Sequence, residues 1–187
     1  MSAYQGRTPN NINSNAALSS TVRRLWVDYV SWTTALIYTI LFGTQDKDAV
    51  EARVMQSAQE FSDLFMQFYG DEVATKLRVL YLRFVEETTG LIEAHKEGDL
   101  ALITDKRQAL YSIADEVARQ MSLANPYWDR AVFQIGLYEI INQIEDQIVH
   151  IMAQDYDESV QAYDDLLEQA YRISDTSVHG LIRQFNL

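Results

Sequence analysis

Very few residues in this chain are able to stop a helix. Of 187 residues, 7 are glycine and 2 are proline. Glycine ends helices because it alone adopts left-handed backbone angles freely, and proline because it lacks the amide hydrogen a helix interior needs. Between these residues, apolar side chains recur at i, i+3, i+4 and i+7, as in Phe61, Leu64, Phe65, Phe68 and Tyr69. No alternating, strand-like pattern is present. The sequence therefore predicts an all-α fold, an up-and-down helical bundle of four long helices plus shorter helical segments.

The first 18 residues are rich in Asn and Ser and lack apolar periodicity, so 1–18 reads as a flexible N-terminal tail and 19–187 as a single helical-bundle domain. The stretch Met1–Ser20 has no apolar centre of the kind a secretory signal needs. A first helix is expected over Ser20–Phe42, capped by Ser19, Ser20 or Thr21 and ended by Gly43. A second region spans Asp48–Tyr69, with Ser57 able to cap a restart and Gly70 closing it. Asp71 opens a helix to about Lys96, and Gly98 stops it. Asp99 opens the next, to about Leu123. Pro126, in Asn125–Trp128, marks a sharp break. The fifth helix runs to about Gln154 with Ile135, Leu137, Ile140, Ile141, Ile144, Ile148 and Ile151 facing inward. After a turn at Asp155–Ser159, the last helix runs to Phe185.

Charge restricts the partners. The net charge is -12 and the isoelectric point about 4.5, so the surface repels phosphate backbones and anionic lipid. Neither nucleic acid nor a membrane surface is expected as a partner. Leu25–Phe42 is apolar enough to suggest a membrane span, but Asp28, Ser31, Thr33, Thr34 and Thr39 interrupt it, which fits a buried bundle helix better. The absence of cysteine removes disulfides, thiolate metal sites and a Cys nucleophile, and agrees with a cytoplasmic location.

Candidate chemistry is sparse. Helical bundles hold di-iron sites with Glu-x-x-His pairs, because i and i+3 share a helix face. The residues three before His95, His150 and His179 are Ile92, Gln147 and Thr176, so no such pair exists. Asp146 with His150, and Asp175 with His179, are spaced i, i+4 and read as surface ion pairs. His95, in "EAHKEGD", reads as solvated. Most carboxylates form a solvated surface. A carboxylate-rich metal-binding bundle of ferritin-like or hemerythrin-like type would draw on Glu86, Asp115, Glu139 and Asp146. Phosphate-cradling glycine loops and a nucleophile elbow are absent. The aromatic residues Trp26, Trp32 and Phe61–Tyr69 read as core.

Read in order, "RRLWVDYVSWT", "FYG" followed by "A", "LIEAHKEGD", "ADEVA", "ANPYW", "LYE", "YD" and "GLIRQF" resemble the motifs of a family of small helical proteins from spore-forming Gram-positive bacteria. That family is often labelled acetylglutamate kinase. The similarity covers about Val22–Phe185. A kinase of amino acids needs an α/β fold with Gly-rich phosphate loops, which this chain does not offer. The resemblance implies a histidine in each of four helices and a glutamate in the fifth, a set suited to a metal cluster. Those histidine positions are Tyr29, Phe84, Ile140 and Gln169 here, and the glutamate position is Gln147. The implied site is emptied, with no cofactor expected. Asp28 and Tyr29 then become core neighbours, with the Tyr29 hydroxyl expected to bond a buried partner such as Gln169 or Gln147. The resulting expectation is a non-enzymatic bundle that acts through binding or self-assembly, as a homo-oligomer joined through apolar helix faces.

Overall fold

The computed structural model describes residues 15–187, and its elements are all helices: α1 (Asn15–Phe42), α2 (Lys47–Glu97), α3 (Leu100–Ala124), α4 (Arg130–Met152) and α5 (Tyr156–Phe185). No strand occurs among the described residues. Each helix packs on its neighbours in the chain, α1 also packs along α5, and smaller contacts join α4 to α1 and α2.

The breaks fall where backbone chemistry requires them. Gly70, at φ 77° and ψ -177°, interrupts α2 with angles that a side chain disfavours, so α2 is two helical arms meeting at a kink. The Ser62 hydroxyl on one arm donates to the Ala74 carbonyl on the other across 3.0 Å. Gly98 ends α2 in the left-handed conformation. Asp99 caps α3 by accepting from the amides of Ala101 and Leu102, and Asp129 caps α4 through Ala131 and Val132.

Four sequence expectations need correction. Helix α1 already includes Asn15–Ser19, ahead of the expected start at Ser20, and Leu18 is fully buried. The tail assignment for residues 1–14 falls outside the described residues. Thr21 does not cap, because its hydroxyl bonds back to the Ala17 carbonyl inside the helix at 2.9 Å. Ser57 does not restart a helix, since it is buried mid-helix and accepts from Arg53 at 2.7 Å. Ile135 does not face inward, being 58% exposed.

Aromatic residues fill the end of the core beside the kink. Trp128, in the α3–α4 connection, contacts the rings of Phe65, Tyr69 and Phe133 at centroid distances of 5.8, 5.7 and 5.7 Å. Gly180 is required beside it, because a Cβ there would lie 2.0 Å from Trp128 Nε1. Helix α1 is long and apolar enough to cross a membrane by length and composition, and half of its most apolar window is buried within the fold.

Candidate functional site

The positions implied by the family resemblance divide into two groups. Tyr29 from α1, Phe84 from α2 and Ile140 from α4 line one cavity, together with Trp26, Phe61, Tyr81 and Leu137. This cavity has a volume of about 40 Å³. That is room for a few waters and too little for an organic ligand. Gln147 and Gln169 do not line it. Gln147 accepts from the Thr34 hydroxyl of α1 at 3.0 Å, and Gln169 donates to the Gly136 carbonyl at 3.3 Å while its Oε1 has no donor among the described residues.

Tyr29 is buried and its hydroxyl has no hydrogen-bond partner among the described residues. This corrects the expected bond to Gln169 or Gln147. Burial pushes the phenol up to about 12, with Thr33 and Thr88 close enough to pull weakly the other way without completing a hydrogen bond. The phenol stays protonated through the neutral range and supplies neither a phenolate ligand nor a base. Replacing Tyr29 with Phe should therefore leave stability unchanged or raise it by about 1 kcal/mol, since an unpaired buried hydroxyl is lost. Urea denaturation of both proteins reads this directly, and a loss of 1 kcal/mol or more would mean that the hydroxyl is bonded.

Asp28 has a plainly structural role. It accepts from Arg24 at 2.9 Å and from Arg53 at 3.2 Å, joining α1 to α2 at the surface. The Arg53 guanidinium also lies over the Trp32 ring, 5.6 Å from its centroid.

The four carboxylates considered as metal ligands are dispersed. Glu86 and Asp146 are exposed and Glu139 is half-buried. Asp115 accepts from the Tyr138 hydroxyl at 2.5 Å and from Gln134 at 2.6 Å. Among the described residues, no three His, Asp or Glu side chains are placed to share a metal ion. Asp175 pairs with Arg23, at 2.7 Å, and not with His179.

Sequence reasoning missed the main charged cluster. His95, expected in solvent, has a side chain only 11% exposed, and its Nε2 is 2.9 Å from Glu145 Oε1. The Glu145 side chain, 12% exposed, also takes both arms of a hydrogen-bonded pair with Arg107. Burial pushes the Glu145 carboxyl up, but His95 and Arg107 outweigh it and hold the group at about 2. The cluster ties the end of α2 to α3 and α4. Both oxygens of the Glu145 carboxylate are engaged by His95 and Arg107, which suits a structural clamp.

The outer surface of α4 is the other distinctive feature. Val132, Ile135, Val149 and Met152 are 51%, 58%, 46% and 47% exposed. Between α4 and α5, an open groove of about 250 Å³ is lined by Val132, Ile135, Gly136, Gln169 and Ile173.

Comparison with known proteins returned no match: no family model fits the chain, and neither curated proteins nor solved structures contain a similar one.

Proposed function

We propose that this chain is a non-enzymatic, up-and-down bundle of four long helices with shorter helical segments, working through binding and self-assembly in the cytoplasm. It retains the frame implied by the family resemblance, with the metal site emptied at Tyr29, Phe84, Ile140, Gln147 and Gln169. The homo-oligomer forms through apolar helix faces, without nucleic acid or membrane as partner. The observation that carries this reading is the exposure of four large aliphatic side chains on α4, Val132, Ile135, Val149 and Met152. Large aliphatic side chains at that exposure gain free energy when a partner covers them. Two further facts support it. The core cavity at Tyr29 is narrow, apolar and without an ionisable carboxylate or histidine in its lining. The buried charged cluster at Glu145 has its acceptors occupied by His95 and Arg107.

The test is the solution mass of the untagged chain by light scattering over a wide concentration range, with metal content measured in the same sample. A defined oligomer without metal is expected. Near-stoichiometric iron, manganese or zinc would overturn the emptied-site reading, and a monomer at every concentration would overturn self-assembly.

A further inference from the structure

The groove between α4 and α5 holds two oxygen acceptors that have no donor among the described residues. One belongs to Gln169, which lines the groove and is 4% exposed. Gly136 lets α5 come close enough for this side chain to lie across α4, since a Cβ there would stand 2.9 Å from Gln169 Nε2 and 3.0 Å from Ile173. The Gln169 amide nitrogen donates to the Gly136 carbonyl at 3.3 Å, while Oε1 is buried and receives no hydrogen bond among the described residues. A buried acceptor in that state is costly until a donor reaches it.

The second acceptor is Glu139, half-buried in the same groove. Its carboxylate makes no ion pair and no hydrogen bond among the described residues. Arg172 also lines the groove, but its guanidinium is bonded to Glu168 at 2.5 Å. Glu168, Glu139 and Asp165 all act on that guanidinium and push it up. Three carboxylates against one cation leave the groove with a negative excess, in a chain whose net charge of -12 already draws cations.

We propose that the α4–α5 groove binds a small linear aliphatic amine in its protonated form. The ammonium donates to the Glu139 carboxylate and to Gln169 Oε1, and the hydrocarbon chain lies over Gly136 beside Val132, Ile135 and Ile173. An ammonium carries three donors and no acceptor, which matches a site that offers acceptors alone. The terminal torsion of glutamine is broad, so Oε1 turns readily toward an entering donor. The groove, at about 250 Å³, is smaller than the roughly 300–1,000 Å³ of pockets for drug-sized ligands, which suits a chain of a few carbons. An anion meets repulsion from Glu139, and an uncharged alcohol leaves that carboxylate without a counter-charge. One copy of the chain holds the complete site, so this inference stands apart from self-assembly.

The probe is n-butylamine, with n-butanol and butyrate as uncharged and anionic matches. Amide chemical shifts of the full chain are followed by NMR through each titration. Butylamine should saturate a single site, with shifts gathered on residues 132–139 and 169–176, and should bind at least about tenfold more tightly than either match. Glu139→Gln should weaken it at least about tenfold. Glu158→Gln removes an exposed carboxylate from the first turn of α5 and should change nothing, which separates the groove from the general negative field. Val132→Phe, at a position 51% exposed in the groove wall, should block binding, and thermal unfolding shows that each variant is folded. The comparison of the three probes on the natural chain needs no variant. Shifts spread over the whole acidic surface, butanol binding as tightly as butylamine, no binding of butylamine, or full binding by a folded Glu139→Gln would each overturn the amine site.

Discussion

Alanine in place of Trp128 should lower the unfolding free energy by about 4 kcal/mol, the range for emptying a large aromatic site in a packed core. Trp128 is buried, and its ring touches Phe65, Tyr69 and Phe133. Its Nε1 donates to the Ser177 carbonyl of α5 at 3.1 Å. One side chain from the α3–α4 connection therefore holds the kinked arm of α2, the start of α4 and the end of α5 together. Gly180 already lies against the indole, and Asn125 fixes the connection by donating to the Tyr69 hydroxyl and accepting from the Tyr127 amide. Trp32→Ala is the matched control: that ring is 38% exposed and packs under Arg53, so its loss should cost less than about 1 kcal/mol. Guanidinium unfolding of the two variants gives the comparison. A Trp128→Ala loss as small as that of Trp32→Ala would mean that the aromatic cluster does not hold the three helices together.

The importance of Trp128 was only half legible in the sequence. Pro126 announces a break, and the aromatic residues of 61–69 announce a core, but the contact between them joins residues about sixty positions apart. Local signals read well wherever the backbone itself is the constraint. Gly70 and Gly98 need angles that other residues avoid, and Asp99 and the Asn125–Trp128 break are written into residue chemistry. Side-chain direction read less well. Ile135 belongs to an apolar run and reads as internal, yet it lies on the side of α4 that carries Asn142 and Asp146, both exposed. Those two polar residues at seven and eleven positions were the available signal that this face looks outward. The Tyr29 hydroxyl could not have been placed, because whether a buried phenol finds a partner depends on distances of a fraction of an ångström between α1 and α2. His95 and Glu145 were invisible for a similar reason. Fifty residues separate them, and no local spacing links a histidine at one helix end to a carboxylate in the middle of another.

Replacing Glu145 with Gln should cost about 3 kcal/mol near neutral pH. The side chain keeps its shape but loses the charge that His95 and Arg107 face. Its carboxyl is held at about 2 against an ordinary value of 4.5, and each unit of such a difference corresponds to about 1.4 kcal/mol. Removing one partner of a mostly buried pair has an effect of the same size. A carboxylate whose folded value is depressed stabilises the fold above its unfolded value, because the unfolded chain takes up the proton first as pH falls. The difference between the natural chain and Glu145→Gln should thus be at its full size above about pH 6. It should shrink as pH drops below the ordinary value of 4.5 and be lost as pH passes down through about 2. Asp175→Asn is the control, since the Arg23–Asp175 pair is half exposed on both sides and should contribute less than about 1 kcal/mol. Chemical denaturation of the three proteins across this pH range separates the outcomes. A Glu145→Gln loss that is small and does not change with pH would remove the clamp from the account of how α2, α3 and α4 are held. A loss confined to acid pH would show the opposite linkage and contradict a depressed carboxyl. The expected pattern instead assigns to one carboxylate a set of contacts among three helices that no local sequence spacing announces.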